Sequence, residues 1–212
     1  MAIPINEDPY STTTLMMWCS IEDLSSENLS YRPESLESIC EMTKFTKREI
    51  QLLYRSFKQG CPSGIVSLQQ FQEIFAQFFP QCSSRRYAEL VFRTLDRDAD
   101  NQISFQEFVV GLSALTRGTQ EDKLNWVFSL YDTHRRDLIG LSELLQVTQA
   151  MYELLNRRCA VTKGHIVEHV WQIFKKLCPD PGETNIARDR FVEICLNDKD
   201  ICDSLDLFHT VL

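Results

Sequence analysis

Acidic residues alternate along one short stretch of this chain, and a single glutamate closes it. Asp96, Asp98 and Asp100 occupy positions 1, 3 and 5 of a twelve-residue stretch whose position 12 is Glu107. Ca²⁺ takes oxygen ligands, and carboxylates at these four positions are the usual ligands of a calcium loop between two helices. The stretch Asp96–Glu107, here called the second loop, therefore predicts one Ca²⁺ site, in which Mg²⁺ could also bind.

Two further residues complete the predicted ligand set. Gln102 at position 7 would supply its main-chain carbonyl, and Ser104 at position 9 a direct or water-bridged oxygen. Position 6 usually carries Gly because its φ is positive, but here it is Asn101. Asn tolerates that conformation better than other non-Gly residues, so we expect an intact, somewhat strained loop. Ile103 at position 8 is expected in a short strand that pairs with another loop.

Helices are predicted on both sides of the second loop. Apolar residues recur at helical spacing before it and after it, which argues against an acidic surface turn without a metal. These residues are Tyr87, Leu90, Val91 and Leu95 before the loop, and Phe108, Leu112 and Leu115 after it.

This helix–loop–helix pattern recurs four times, with a period of roughly forty residues. We therefore predict an all-α fold of four EF-hand helix–loop–helix units in two paired lobes, with short paired strands in the loops. The predicted divisions are a flexible N-terminal extension (1–33), an N-terminal lobe (34–117) and a C-terminal lobe (120–212) that ends in a helix (200–212). Arg117-Gly118-Thr119 would be the hinge, and Thr46 with Glu49 predicts a capping box.

The first and third loops are not expected to bind metal. The first loop, Gln59–Gln70, has no carboxylate and has Gln70 at position 12. The third loop, Asp132–Glu143, keeps the acidic residues of positions 1 and 12 but has His134 at position 3 and Arg136 at position 5. A fixed positive charge about 4 Å from a divalent ion costs on the order of several kcal/mol, even at an effective dielectric near 20.

The fourth loop has two candidate registers. It begins at Pro179 if Ile186 is placed at position 8, and at Cys178 if Leu177 ends the preceding helix. In both registers Arg190 replaces the bidentate glutamate, so no metal is expected there either. The second loop is thus the one predicted site.

Composition narrows the functional class. The 212-residue chain has 30 acidic and 22 basic residues, a formal net charge of −8, and only short arginine pairs, so no nucleic-acid partner is expected. Its eight cysteines lack a C-x-x-C pair, which favours reduced thiols and a cytoplasmic protein. No apolar run of spanning length, signal peptide or catalytic motif occurs, so neither a transmembrane protein nor an enzyme is expected.

Several stretches resemble the neuronal calcium sensor family, and within it the Kv channel-interacting protein (calsenilin-like) group. The resemblance covers about residues 32–212 and is stronger before about residue 155. It is carried by Arg32-Pro33-Glu34-Ser35-Leu36, Cys61-Pro62-Ser63-Gly64, Ala76-Gln77-Phe78-Phe79-Pro80 and Arg117-Gly118-Thr119. Members of the family rely mainly on their third and fourth loops for calcium, and those are the loops that have lost ligands here.

The resemblance implies an accessory subunit of A-type voltage-gated potassium channels. Such a protein binds the helix at the channel's cytoplasmic N-terminus in an apolar groove and would lie at the plasma membrane only through that partner. Groove candidates, about half of them expected to be exposed, are Leu53, Phe57, Phe71, Phe75, Phe78, Phe105 and Phe108. The C-terminal helix, with Leu205 and Phe208, could fill part of this groove until a partner displaces it. The alternatives are a regulator of a cyclase, kinase or receptor, and a calcium-independent structural subunit; an oligomer is left open.

Overall fold

The computed structural model describes residues 35–78, 85–155, 163–179 and 182–198. The described residues are mostly helical, as predicted, and contain two small antiparallel strand pairs. The first half contains α1 Leu36–Met42, α2 Lys47–Gly60, β1 Ile65–Ser67, α3 Leu68–Phe78, α4 Arg85–Leu95, β2 Gln102–Ser104 and α5 Phe105–Arg117. The second half contains α6 Gln120–Tyr131, β3 Leu138–Gly140, α7 Leu141–Leu155, α8 Lys163–Leu177, β4 Asn185–Ala187 and α9 Arg188–Asn197.

The strands join the loops in two pairs. β1 pairs with β2, with Val66 opposite Ile103, and β3 pairs with β4, with Ile139 opposite Ile186. All four of these side chains are buried. The expected strand around Ile103 is therefore confirmed, and each apolar pair holds two neighbouring loops side by side.

Several helices begin at a side-chain cap that the sequence encodes. The capping box predicted at Thr46 is present, because the Thr46 hydroxyl accepts the Glu49 N–H and the Glu49 carboxylate accepts the Thr46 N–H. Ser104 caps α5 in the same way, with Glu107 as the reciprocal partner. Thr119 caps α6 through Asp122, so this helix begins at Gln120. Each cap satisfies N–H groups that the first helical turn leaves without partners.

Helix length explains the irregular registers of the first and fourth loops. In the second loop α4 ends at Leu95, directly before Asp96, whereas α2 continues to Gly60, past the first residue of the first loop. In the fourth loop, α8 ends at Leu177 and Ile186 lies in the strand pair. Leu177 therefore ends the preceding helix and Ile186 also takes the strand position 8. The fourth loop is consequently one residue longer than the second.

Aromatic side chains fill the core of the first half. The ring centroids of Phe57 and Phe105 lie 5.4 Å apart, and those of Phe71 and Phe92 lie 5.7 Å apart, both in edge-to-face contact. Such ring pairs contribute about 0.5–1.5 kcal/mol beyond the burial of their area. This core connects α2 to α5 and α3 to α4. The helices that flank the second loop, α4 and α5, therefore both contribute to it.

Charged side chains connect the start of α2 to the end of α5. The Arg117 guanidinium donates to both carboxylate oxygens of Glu49 and to the Lys44 carbonyl, at 3.1 Å for the carbonyl, and it lies 4.5 Å from the centroid of the Phe45 ring. The Arg117 contact lowers the pKa of Glu49 to about 2, with the Thr46 N–H contributing. The segment expected as a hinge is thus held against α2.

Some predicted elements fall outside the described residues. These are the N-terminal extension 1–33, the C-terminal helix 200–212 with Leu205 and Phe208, and the side chain of Phe78. Within the described part of the chain, no helix is both long enough and apolar enough to cross a membrane.

Candidate metal site

The second loop brings three carboxylates together between the end of α4 and the start of α5. Asp96, Asp98 and Glu107 each offer one oxygen, and the three oxygens lie within 4.8 Å of one another. Among the described residues this is the one such cluster of three metal-ligating side chains. Three of the six predicted ligand residues therefore meet through their side chains.

Asp96 carries an unusual buried oxygen. Asp96 as a whole is 3% exposed, and its Oδ2 accepts the Asn101 N–H at 3.1 Å. Its Oδ1 has no hydrogen-bond partner among the described residues. Burial raises the pKa of Asp96, and the nearby negative charge of Glu107 adds to that rise. A buried carboxylate oxygen without a donor is costly, so the arrangement fits a cation that would coordinate this oxygen.

Glu107 reaches across the loop from the first turn of α5. Its Oε1 accepts the Arg97 N–H at 2.8 Å, and its Oε2 accepts the Ser104 N–H at 2.9 Å and the Ser104 hydroxyl at 2.8 Å. One carboxylate thus connects the beginning of the loop, the strand β2 and the helix α5. Any change in the partners of Glu107 acts on all three.

The remaining predicted ligands have roles in the turn itself. Asp98 Oδ1 accepts the Asp100 N–H at 3.1 Å, and Asp100 Oδ1 accepts the Gln102 N–H at 2.7 Å. Asp100 is not part of the close carboxylate cluster. The Ser104 hydroxyl caps α5, which is a role additional to the predicted one. These side-chain-to-backbone bonds shape the loop before any ligand is considered.

Positive φ angles give the second and third loops the same backbone shape. Asn101 at position 6 has φ 63°, as the sequence predicted, and Ala99 at position 4 has φ 64°. The third loop has φ 54° at Arg135 and 56° at Asp137, which are again positions 4 and 6. The conformation at position 4 was not predicted, because neither Ala nor Arg favours it.

The first and fourth loops contain no acidic residue in the place of Glu107. Gln70 accepts the Ser67 N–H at 3.0 Å and so reproduces a backbone contact of Glu107 with a neutral amide. Arg190 forms an ion pair with Glu183 at 2.8 Å in the fourth loop. Both arrangements agree with the absence of a bidentate carboxylate that the sequence indicated.

The expectation about the groove candidates is wrong for the described residues. About half were expected to be exposed, but all six described side chains are 7% exposed or less; they are Leu53, Phe57, Phe71, Phe75, Phe105 and Phe108. The physical reason is that these rings pack against one another and against Phe92 in a single core. No groove is formed by these residues in this conformation.

Sequence reasoning missed Arg135, which connects the third loop to the second. Its guanidinium donates to the main-chain carbonyls of Arg93 at 2.9 Å and Arg97 at 3.3 Å, and to that of Asp96. Carbonyls at a helix C-terminus lack partners within the helix, and a cation there is favourable. The sequence gives no signal for this contact, because the acceptors of Arg135 are main-chain carbonyls about forty residues earlier in the chain.

No protein-family model matches the sequence.

Proposed function

We propose that this chain is a calcium-binding regulatory adaptor built from EF-hand units. The observation that carries the proposal is the unpartnered Oδ1 of Asp96, which lies buried beside the carboxylates of Asp98 and Glu107. Four helix–loop–helix units with loops paired by short strands support the EF-hand interpretation. The division into an N-terminal lobe (34–117) and a C-terminal lobe (120–212) belongs to the same proposal.

The residues present fit a hard divalent cation. Asp96, Asp98, Asp100 and Glu107 would hold it with carboxylate oxygens, Gln102 with its carbonyl and Ser104 directly or through water. A bound Ca²⁺ supplies two positive charges that offset the repulsion among these carboxylates. Ca²⁺ accepts the irregular geometry of such a loop, whereas Mg²⁺ demands a near-octahedral one.

Glu107 is the residue through which the site would act on the rest of the protein. It belongs to α5, and the same helix places Phe105 and Phe108 against Phe57 of α2. If Glu107 exchanged its Arg97 and Ser104 partners for a bound cation, α5 would be expected to change its position relative to α2. Because the six groove candidates that the structure describes are buried, we infer that such a displacement must precede the exposure of an apolar groove.

The partner in this proposal is an amphipathic helix. The resemblance to Kv channel-interacting proteins favours the cytoplasmic N-terminal helix of an A-type voltage-gated potassium channel, bound by the helix-in-groove mode. The proposed location is the cytoplasm, at the plasma membrane through that channel. Regulation of a cyclase, kinase or receptor would use the same groove with another helix.

Calorimetry tests the metal site and the regulation separately. Wild type should bind one Ca²⁺ and Glu107→Gln should bind none with comparable affinity, whereas the exposed helical control Glu121→Gln should match wild type. Affinity for a channel N-terminal peptide is then measured with calcium and with EDTA. If calcium binds but leaves peptide affinity unchanged, the regulatory proposal fails and a calcium-independent structural subunit is favoured. If the peptide does not bind in either condition, the channel partner is wrong.

A further inference from the structure

The third loop has kept the shape of the second loop while losing its acidic ligands. Asp132 and Glu143 are 5% and 3% exposed. They stand at positions 1 and 12 of the third loop, as Asp96 and Glu107 do in the second, so this loop also contains two buried carboxylates. Two buried carboxylates that face one loop repel each other unless a positive charge or several donors lie between them. The third loop must therefore contain its own compensation.

Hydrogen-bond donors reach all four carboxylate oxygens of Asp132 and Glu143. Asp132 Oδ1 accepts the Arg136 N–H at 3.0 Å and Asp132 Oδ2 accepts the Asp137 N–H at 2.7 Å. Glu143 Oε2 accepts the Gly140 N–H at 3.2 Å and the Ser142 hydroxyl at 2.7 Å. This arrangement differs from the second loop, where Asp96 Oδ1 has no donor among the described residues.

The last oxygen, Glu143 Oε1, receives a positive charge from within the loop. The Arg136 guanidinium donates to it through Nη2 at 2.5 Å, and His134 Nδ1 lies 3.2 Å from it. Although burial raises the pKa of Glu143, the Ser142 hydrogen bond, the backbone N–H groups and the Arg136 charge lower it below its usual value. The Arg136 side chain is half exposed, and its guanidinium contacts the buried carboxylate of position 12.

We propose that the Arg136 guanidinium is the resident cation of the third loop. The guanidinium donates to the glutamate of position 12, which a divalent ion would otherwise bind. The Arg136 backbone N–H bonds the aspartate of position 1, so one residue connects both ends of the loop. The third loop is consequently held in its present conformation at any calcium concentration, and among the described residues the second loop alone keeps a carboxylate cluster that a metal ion could bind. This inference does not depend on the proposed function of the second loop.

Removal of the guanidinium tests whether Arg136 compensates the buried carboxylate of Glu143. In EDTA, Arg136→Gln should lower the melting temperature by about 3–8 °C relative to wild type, because a buried carboxylate loses its charged partner. Arg136→Lys should recover part of the loss, since an ammonium can reach Glu143 as a single donor. The control is Arg55→Gln, which removes an exposed arginine of α2 and should leave the melting temperature unchanged. A melting temperature of Arg136→Gln equal to that of this control overturns the proposal.

Restoration of acidic ligands tests whether the guanidinium lies where a metal ion could bind. The double change His134→Asp with Arg136→Asp gives the third loop the same residue types as the second at positions 1, 3, 5 and 12. Made in a Glu107→Gln background, it should be destabilised in EDTA and should regain its melting temperature when one Ca²⁺ binds, as counted by calorimetry. The background alone should show no such binding. A double variant that binds no calcium contradicts the proposal, because the place of the guanidinium would then not be a cation position.

Discussion

Replacement of Asp96 should weaken metal binding but stabilise the metal-free protein. Replacement of this residue by Asn keeps its shape and one acceptor for the Asn101 N–H, which is 3.1 Å away, but removes the negative charge. With calcium present, one charged ligand is lost. In EDTA, a buried charge that repels Glu107 is lost as well, which should favour the folded protein.

The magnitudes follow from charge and burial. A unit charge about 4 Å from another is worth about 4 kcal/mol at an effective dielectric of 20, so loss of one ligand charge should weaken calcium binding by about 10²–10³-fold. In EDTA the same change removes one of two neighbouring like charges, which should stabilise the fold by about 1 kcal/mol even at the dielectric constant of water. For a protein of this size that corresponds to about 2–4 °C in melting temperature.

Calorimetry with calcium and thermal unfolding in EDTA measure the two effects on the same samples. The matched control is Asp98→Asn, because Asp98 is an exposed member of the same carboxylate cluster. This control should also weaken calcium binding, but it should not raise the melting temperature in EDTA. If Asp96→Asn instead lowers the melting temperature in EDTA, Asp96 is chiefly a structural residue and the argument from its buried oxygen is refuted.

Three further predictions concern the contacts around the site. Gly118→Ala should destabilise the protein by about 1–3 kcal/mol in denaturant unfolding, because a Cβ there would lie 2.1 Å from the Ala114 carbonyl oxygen, and an unchanged midpoint would contradict this. Glu49, whose pKa is lowered to about 2 chiefly by Arg117, should contribute stability above its usual pKa that is lost as the pH falls from about 5 towards 2. Glu49→Gln should therefore flatten that part of a pH titration of the melting temperature, and an unaltered slope would disagree. Arg135→Gln should increase hydrogen exchange at the end of α4, where its acceptors lie, and equal exchange in wild type and variant would argue against this contact.

Local signals in the sequence predicted the parts of the fold that depend on neighbouring residues. The Thr46–Glu49 capping box, the strand at Ile103 and the positive φ of Asn101 are all present. Each depends on a few residues of known conformational preference, so the pattern alone determines it. The meeting of Asp96, Asp98 and Glu107 follows from the same local spacing.

Contacts between residues distant in sequence could not be predicted from local sequence patterns. The burial of the Phe57, Phe71 and Phe105 rings depends on how α2, α3 and α5 pack, and helical spacing shows only that a residue lies on an apolar face. Arg136 was interpreted from its charge alone as a residue that repels a metal ion. Its pairing with Glu143 could be recognised only once the loop backbone was known.

Arg135 contacts main-chain atoms, and this has a consequence for mutational mapping. Its three acceptors are carbonyls of Arg93, Asp96 and Arg97, and those oxygens remain when any of these side chains is replaced. An alanine scan along α4 and the second loop would therefore miss this link between the second and third loops. A scan of the third loop would find it at a single position. Loss of this contact would then look like a local defect of the third loop, although Arg135 holds the end of α4 and the start of the second loop, where Asp96 lies.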